Sequence, residues 1–412
     1  MSNPAPARRN FLKATALLGL SAAATRLGAQ SPPPAATAAP ASRPDVSITD
    51  VRAYVLGQAV LVEVVSDAGV SGWGECAFDG SILMKTLVDS HLKKEVIGQN
   101  PFDVRRLWDR MFFENHDLGP GGALPNAIAG IDIALWDLKG RLLGQPIYHL
   151  LGGRYRDRIE AYGSVPVRRG EVSIDACVKS CLRFVEQGFK CIKVRMQIRE
   201  HHLNPDPDPT FAYAAAVRQA IGDDIVLMID ANNGYSAQRA ISTGRRLFEQ
   251  WNVTYFEDPV SDQNLAEMAQ VTAGLNDLEI VAGEKCYTRW QIKDLIVQGN
   301  VDIINPDVMK VGGITEMEKL AVLSACFHKP IQMHNTRPTI ATAASLHCMA
   351  STPLVARFIE YPVVGTAFDG LMKLFRNRVK LEDGILFVPK GPGLGLEVDA
   401  EAVRARAAQI QR

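Results

Sequence analysis

The sequence predicts a (β/α)8-type barrel, an α/β fold, preceded by a smaller α+β capping domain that the C-terminal segment completes. Three observations lead to that expectation: eight short apolar runs recur through the middle of the chain, amphipathic stretches separate them, and an ionisable residue ends most runs. A chain of 412 residues exceeds one ordinary domain and suits a barrel of roughly 250 residues with a companion. With 47% hydrophobic and 22% charged residues it has the composition of a globular protein with a large core. Lys+Arg and Asp+Glu balance at 45 each, so no basic excess points to nucleic acid, and a small-molecule partner is expected.

The N-terminus departs from this pattern. Arg8-Arg9-Asn10-Phe11-Leu12-Lys13 precedes an apolar run, Ala14 to Ala24, that is too short to span a bilayer. The order of paired arginines, Phe-Leu-Lys and Ala-rich run resembles a twin-arginine export signal, here assigned to residues 1–29, and implies delivery to the periplasm without a stable membrane anchor. Residues 30–46 are rich in Pro, Ala, Ser and Thr and read as a linker. The seven cysteines are odd in number and sit mostly in apolar stretches, which suggests buried thiols. Cys177 and Cys181 lack a second pair at zinc-like spacing.

The capping domain is assigned to residues 47–155. Val46 to Trp73 reads as strands around the Asp67-Ala68-Gly69 turn, and Ala127 to Leu143 as a helix. The barrel is assigned to residues 156–365. Its runs are Ile159–Ser164, Cys191–Val194, Ile225–Ile229, Val253–Phe256, Ile280–Gly283, Val301–Asn305, Pro330–Met333 and Val355–Ile359. Segments such as Ala240–Trp251 and Ile314–Phe327 are long enough to be crossover helices between parallel strands. The C-terminal segment, 366–412, holds a hairpin around Glu382-Asp383-Gly384 and is expected to pack on the capping domain.

Lys193, Asp230, Glu257, Glu284, Asp307, His334 and Glu360 follow one another at steps of 37, 27, 27, 23, 27 and 26 residues, in phase with the strands. A single such charge would ordinarily be a solvated loop residue. Seven at the carboxyl ends of barrel strands converge on one mouth and form a candidate active site.

Several segments together resemble the mandelate racemase and muconate lactonizing group of the enolase superfamily, over nearly all of residues 47–400. They are Gly72-Trp73-Gly74-Glu75, Ile131-Asp132-Ile133-Ala134-Leu135-Trp136-Asp137-Leu138, Leu150-Leu151-Gly152-Gly153, Asp230-Ala231-Asn232, Phe256-Glu257-Asp258-Pro259, Ala282-Gly283-Glu284, Asn305-Pro306-Asp307 with Gly312-Gly313-Ile314-Thr315, and Gly391-Pro392-Gly393-Leu394-Gly395.

The resemblance implies that Asp230, Glu257 and Glu284 hold Mg²⁺. Three hard oxygen donors suit that ion, with Mn²⁺ as a substitute, and Asn232 is expected beside them. It also implies removal of the α-proton of a hydroxy carboxylic acid, the cation stabilising the resulting enediolate. His334 is the expected base, oriented by Asp307. The family's usual Lys-x-Lys is here Lys193-Val194-Arg195; Arg is a poor base and a good carboxylate ligand, so Arg195 is expected to bind substrate or enolate and Lys193 to polarise the carboxylate. Glu360 is expected to be protonated and to donate to the enediolate. The segment Gln197 to Thr210, with His201, His202 and three prolines, reads either as a cover over substrate or as an exposed insertion.

A racemase or epimerase needs competent bases on both faces of the carbon, and Arg195 weakens the second. A dehydratase needs one His–Asp dyad, so the expectation is dehydration of an aldonate or aldarate to a 2-keto-3-deoxy acid. Racemisation of a 2-hydroxy acid, and an exported sugar-acid-binding protein without turnover, are the competing expectations. An assembly of identical chains, from dimer to octamer, is expected.

Replacing Arg8 and Arg9 with Lys keeps the charge and removes the paired guanidinium groups. Periplasmic delivery, followed by cell fractionation, is expected to fail in that variant; undiminished delivery would point to another route.

Overall fold

The computed structural model describes residues 44–77, 81–167, 171–362 and 366–410. The expected export signal and nearly all of the linker lie outside them. Residues 45–412 form one compact unit.

The cap begins with an antiparallel sheet of β1 (Ile48–Val55), β2 (Val60–Ser66) and β3 (Ser71–Cys76). One apolar face of this sheet is covered by the helix Ala123–Leu143, most of whose residues are buried. The approach is close because glycines face each other across it: a Cβ at Gly74 would lie 1.9 Å from the Gly130 carbonyl oxygen, and one at Gly72 2.1 Å from that of Ala134. No side chain fits there, which is the physical content of the Gly-Trp-Gly-Glu motif.

Six parallel strands follow: β4 (Arg158–Pro166), β5 (Cys191–Arg195), β6 (Val226–Asp230), β7 (Val253–Glu257), β8 (Glu279–Ala282) and β9 (Ile303–Ile304). The ring continues through single parallel bridges, Ile304 to Ile331 and Ile331 to Val355, and returns through β10 (Phe358–Pro362), which pairs with β4. The expected seventh strand, Pro330–Met333, is therefore present only as a bridge at Ile331. Pro330 has no N–H to donate, which shortens the ladder there. Helices such as Ala237–Trp251 and Ile314–Cys326 connect the strands, as a parallel sheet requires.

The C-terminal segment differs from expectation in one respect. Its hairpin, β11 (Leu381–Glu382) and β12 (Ile385–Phe387), joins the barrel by pairing β12 antiparallel with β4. Pairing with β10 uses β4 from Glu160 onward, which leaves the start of that strand open to the hairpin. Only the later part reaches the cap: Leu394 N–H donates to Asp137 at 2.8 Å, and Arg404 on the helix Ala400–Ile410 binds Glu63 at 3.1 Å.

Buried carboxylates join the cap to the barrel. Asp132 accepts from the backbone N–H of Thr315 (2.9 Å) and from its hydroxyl (2.5 Å), while the same hydroxyl oxygen accepts from the Trp136 indole (2.9 Å). Glu75 accepts from Arg337 (3.0 Å), the Thr339 hydroxyl (2.6 Å) and the Ala341 N–H (3.3 Å). Six of the seven cysteines are buried, and Cys326 is exposed, contrary to the expectation for the set.

Thr315→Val keeps the side-chain shape but removes one donor to Asp132 and the acceptor for Trp136. Urea unfolding is expected to show a loss of about 2–3 kcal/mol, the usual result of leaving buried polar groups unpaired.

Candidate active site

Strand alternation builds the site in two layers. Tyr162, Cys191, Met228 and Phe358 form a buried apolar cluster separate from the main core. Two residues further along the same strands stand Ser164, Lys193, Asp230 and Glu360, whose side chains point the same way because the strand period is two. The register sets Arg195 beside Asp230 and Asp230 beside Glu257. Glu284 follows β8 after Gly283, whose φ of 131° turns the chain.

Lys193 is fully buried and sits at the centre. Its Nζ lies 2.6 Å from Glu257, 3.3 Å from Glu360 and 3.9 Å from Asp230, and 5.1 Å from the centre of the Tyr162 ring. Burial disfavours its charge, but Glu257 and Glu360 outweigh that and hold the amine protonated. Burial pushes Glu257 well up and Asp230 up to about 7, with Lys193 opposing both shifts. Glu360 differs from expectation: burial raises it, yet Lys193 and His334 bring its carboxyl below the ordinary range. It is an acceptor, taking the Asn335 N–H at 3.2 Å.

His334 Nδ1 and Asp307 Oδ2 are 2.7 Å apart, and Asp307 also accepts from the Met309 N–H at 2.7 Å. The other ring nitrogen, Nε2, lies 3.0 Å from Glu284 Oε2 and 3.6 Å from Glu360 Oε2. Burial opposes the imidazolium, but Glu284 and Glu360 dominate and push the pKa up to about 10.

Asp230, Glu257 and Glu284 offer the donor set of a cation site. Asp230 Oδ2 and Glu257 Oε2 are buried without a hydrogen-bond partner, and Glu284 Oε2 faces the His334 ring at 3.0 Å. Three hard carboxylate oxygens, two of them unsatisfied, fit Mg²⁺. Among the described residues, however, no three such groups converge into a closed metal-ligand cluster. Lys193 stands against Glu257 and Asp230, and His334 and Lys285 against Glu284, the latter at 3.5 Å. Asn232 reaches Glu284 at 3.5 Å, and its N–H donates to Asp230 at 2.7 Å. It does so from a turn, with φ of 53°.

Arg195 is part-buried, and its Nε has no hydrogen-bond partner. It lines a cavity of about 650 Å³ with Gln197, Arg199, Lys310 and His334. Sequence reasoning missed Lys285, which also binds Asp258 at 2.9 Å, and Asn335, which donates to the Glu360 carbonyl at 3.1 Å. Both directly follow residues that were identified, Glu284 and His334, so adjacency was the available signal.

A capped barrel whose mouth gathers carboxylates, a buried lysine and a His–Asp pair defines an enolase-type protein. The chain belongs to the mandelate racemase/muconate lactonizing enzyme family. Residues 38–152 match that family's N-terminal domain and residues 176–403 match the enolase C-terminal domain-like family. The chain is 34% identical over 355 residues to a D-galactarolactone cycloisomerase of Agrobacterium fabrum, covering 84% of this chain and 90% of that protein. It is 32% identical over 380 residues to a D-xylonate dehydratase of Haloferax volcanii, covering 88% and 89%. A mandelate racemase/muconate lactonizing protein from Paracoccus denitrificans, solved with magnesium, superposes with a TM-score of 0.80 at 34% identity over 88% of this chain and 98% of that one.

Glu284 is the strongest carboxylate influence on His334, and a negative neighbour favours imidazolium, so its removal lowers the imidazole pKa. In protein treated with a chelator, NMR titration of His334 is expected to show protonation persisting well above neutrality, and Glu284→Gln is expected to move the midpoint down by about one unit or more. An unmoved midpoint would assign the shift to other groups.

Proposed function

We propose that the protein is a Mg²⁺-dependent dehydratase of a sugar acid, an aldonate or aldarate, giving a 2-keto-3-deoxy acid. The observation that carries this reading is the asymmetry of the proton-handling groups. One His–Asp pair is complete, while β5 presents Lys193 with Arg195, and an arginine is a poor base. One competent base suits elimination better than racemisation. Its kinship with enzymes named dehydratases supports a lyase.

Bound Mg²⁺ would supply positive charge to stabilise the substrate's enediolate, with Asp230, Glu257 and Glu284 as its holders. A cation held by Glu284 would relieve the carboxylate that keeps the imidazole protonated; neutral His334 Nε2 then takes the α-proton while Nδ1–H donates to Asp307, which fixes the tautomer and stabilises the imidazolium. That imidazolium then protonates the departing β-hydroxyl as the carbon–oxygen bond breaks. Water leaves, and the enol rearranges to the keto acid. Lys193 binds the carboxylate end as a fixed cation. Arg195, with a planar fork, binds a carboxylate or the developing enolate.

The export-signal resemblance supports action in the periplasm, and we infer an assembly of identical chains. Among the described residues no helix is long and apolar enough to cross a membrane.

With Mg²⁺ and a panel of aldonic and aldaric acids, the product is expected to be a keto acid lighter than the substrate by one water; an isomer of unchanged mass would indicate a racemase or epimerase. His334→Asn is expected to abolish both dehydration and α-deuterium incorporation from deuterated water. Persistent α-exchange in that variant would make Lys193 the base.

A further inference from the structure

We propose that the loop after β5 carries a subsite for a second anionic group, so that the preferred substrate is a dicarboxylate, an aldarate, and not a monocarboxylate aldonate. The inference rests on the sugar-acid reading above and specifies its substrate class.

The loop is held to the barrel and is not a loose insertion. Met196 N–H donates to the Asp230 carbonyl at 2.8 Å, and Ile198 is buried against Gly234, where a Cβ would lie 2.3 Å from that of Ile198. Further along, Asn204 N–H donates to the Gly234 carbonyl at 2.9 Å, and its side chain exchanges hydrogen bonds with Ser236. Asp208 accepts from the Tyr235 hydroxyl at 2.9 Å and faces Arg239 at 3.5 Å.

Between these anchors the backbone takes conformations that non-glycine residues seldom adopt. Gln197 has φ of 51°, Arg199 of 65° and Asn204 of 53°. Such conformations are costly for side-chain-bearing residues and persist where the surroundings fix them. The result here is that Gln197, Arg199 and His201 line the same cavity as His334.

Charge in that cavity is divided. Glu284 in its lining is nearly buried beside Asp230 and Glu257, a region suited to a cation and the reacting carboxylate, and Arg195 stands next to Asp230. The same lining carries Asp262 and two further cations, exposed Arg199 and half-buried Lys310, and among the described residues neither of these two has an ion-pair partner. By contrast Lys285, on the same wall, is committed to Asp258 and Glu284. One carboxylate, held by Lys193 and Arg195, leaves Arg199 and Lys310 without a carboxylate to bind. A second carboxylate at the far end of the sugar chain meets them, and Arg forks bind carboxylates in two-pronged fashion. A terminal hydroxymethyl group offers no charge to these two cations.

The test compares kcat/KM for aldaric acids with kcat/KM for the aldonic acids of the same configuration, in the Mg²⁺-loaded full chain. The wild type is expected to prefer the aldarate by about tenfold or more, as charge recognition of a substrate group gives. Arg199→Ala is expected to lower the aldarate-to-aldonate ratio about tenfold, mostly through KM, and Arg199→Lys to recover part of it. Circular dichroism and unbroken α-proton exchange show that the variants fold. Aldonates turned over as well as aldarates by the wild type, or a ratio unmoved in Arg199→Ala, would overturn this inference and leave the dehydratase reading standing. Absence of α-proton exchange with both classes of acid would overturn both.

Discussion

A buried amine among buried carboxylates is the constraint on which the barrel mouth depends. Asp230, Glu257, Glu284 and Glu360 are all nearly or wholly removed from water, an arrangement that isolated anions do not tolerate. Lys193 answers three of them and His334 the fourth. The apolar layer of Tyr162, Cys191, Met228 and Phe358 beneath keeps water out, so these charges interact at low dielectric. The same crowding sets the chemistry. It keeps Lys193 protonated, makes Glu360 an acceptor and makes His334 responsive to the charge on Glu284.

The cap contributes by the same principle. Its buried acids are satisfied by donors from distant segments: Asp132 by Thr315, Glu75 by Arg337, Thr339 and Ala341, Asp137 by Trp73 and Leu394. Arg337 lies three residues after His334, and Asn335 between them binds the Glu360 carbonyl and the Thr342 hydroxyl. A carboxylate of the cap sheet thus steadies the turn that carries His334, and the fold uses one buried polar network for stability and for positioning.

Much of this was legible before any coordinates. The strand-phased charges located the mouth because a parallel barrel brings every carboxyl end to one side, and the His334–Asp307 pair followed from adjacent strands. The loop from Gln197 to Thr210 was ambiguous, since nothing in its composition shows that Ile198 fills the space over Gly234. Glu360 shows the same limit. Burial argues for a neutral acid, and in the substrate-free protein the two cations facing it reverse the sign.

The sequence by itself determined the class of fold, the identity of the strands and the residues at their ends, because periodicity and turn chemistry are local properties of the chain. Only the tertiary structure decided which charges pair, that the C-terminal hairpin extends the barrel, that Asn232 sits in a left-handed turn, and that Arg195, Arg199 and Lys310 line one cavity. Those outcomes depend on distances between segments far apart in sequence, and electrostatic balance in a buried site is a sum over all of them at once.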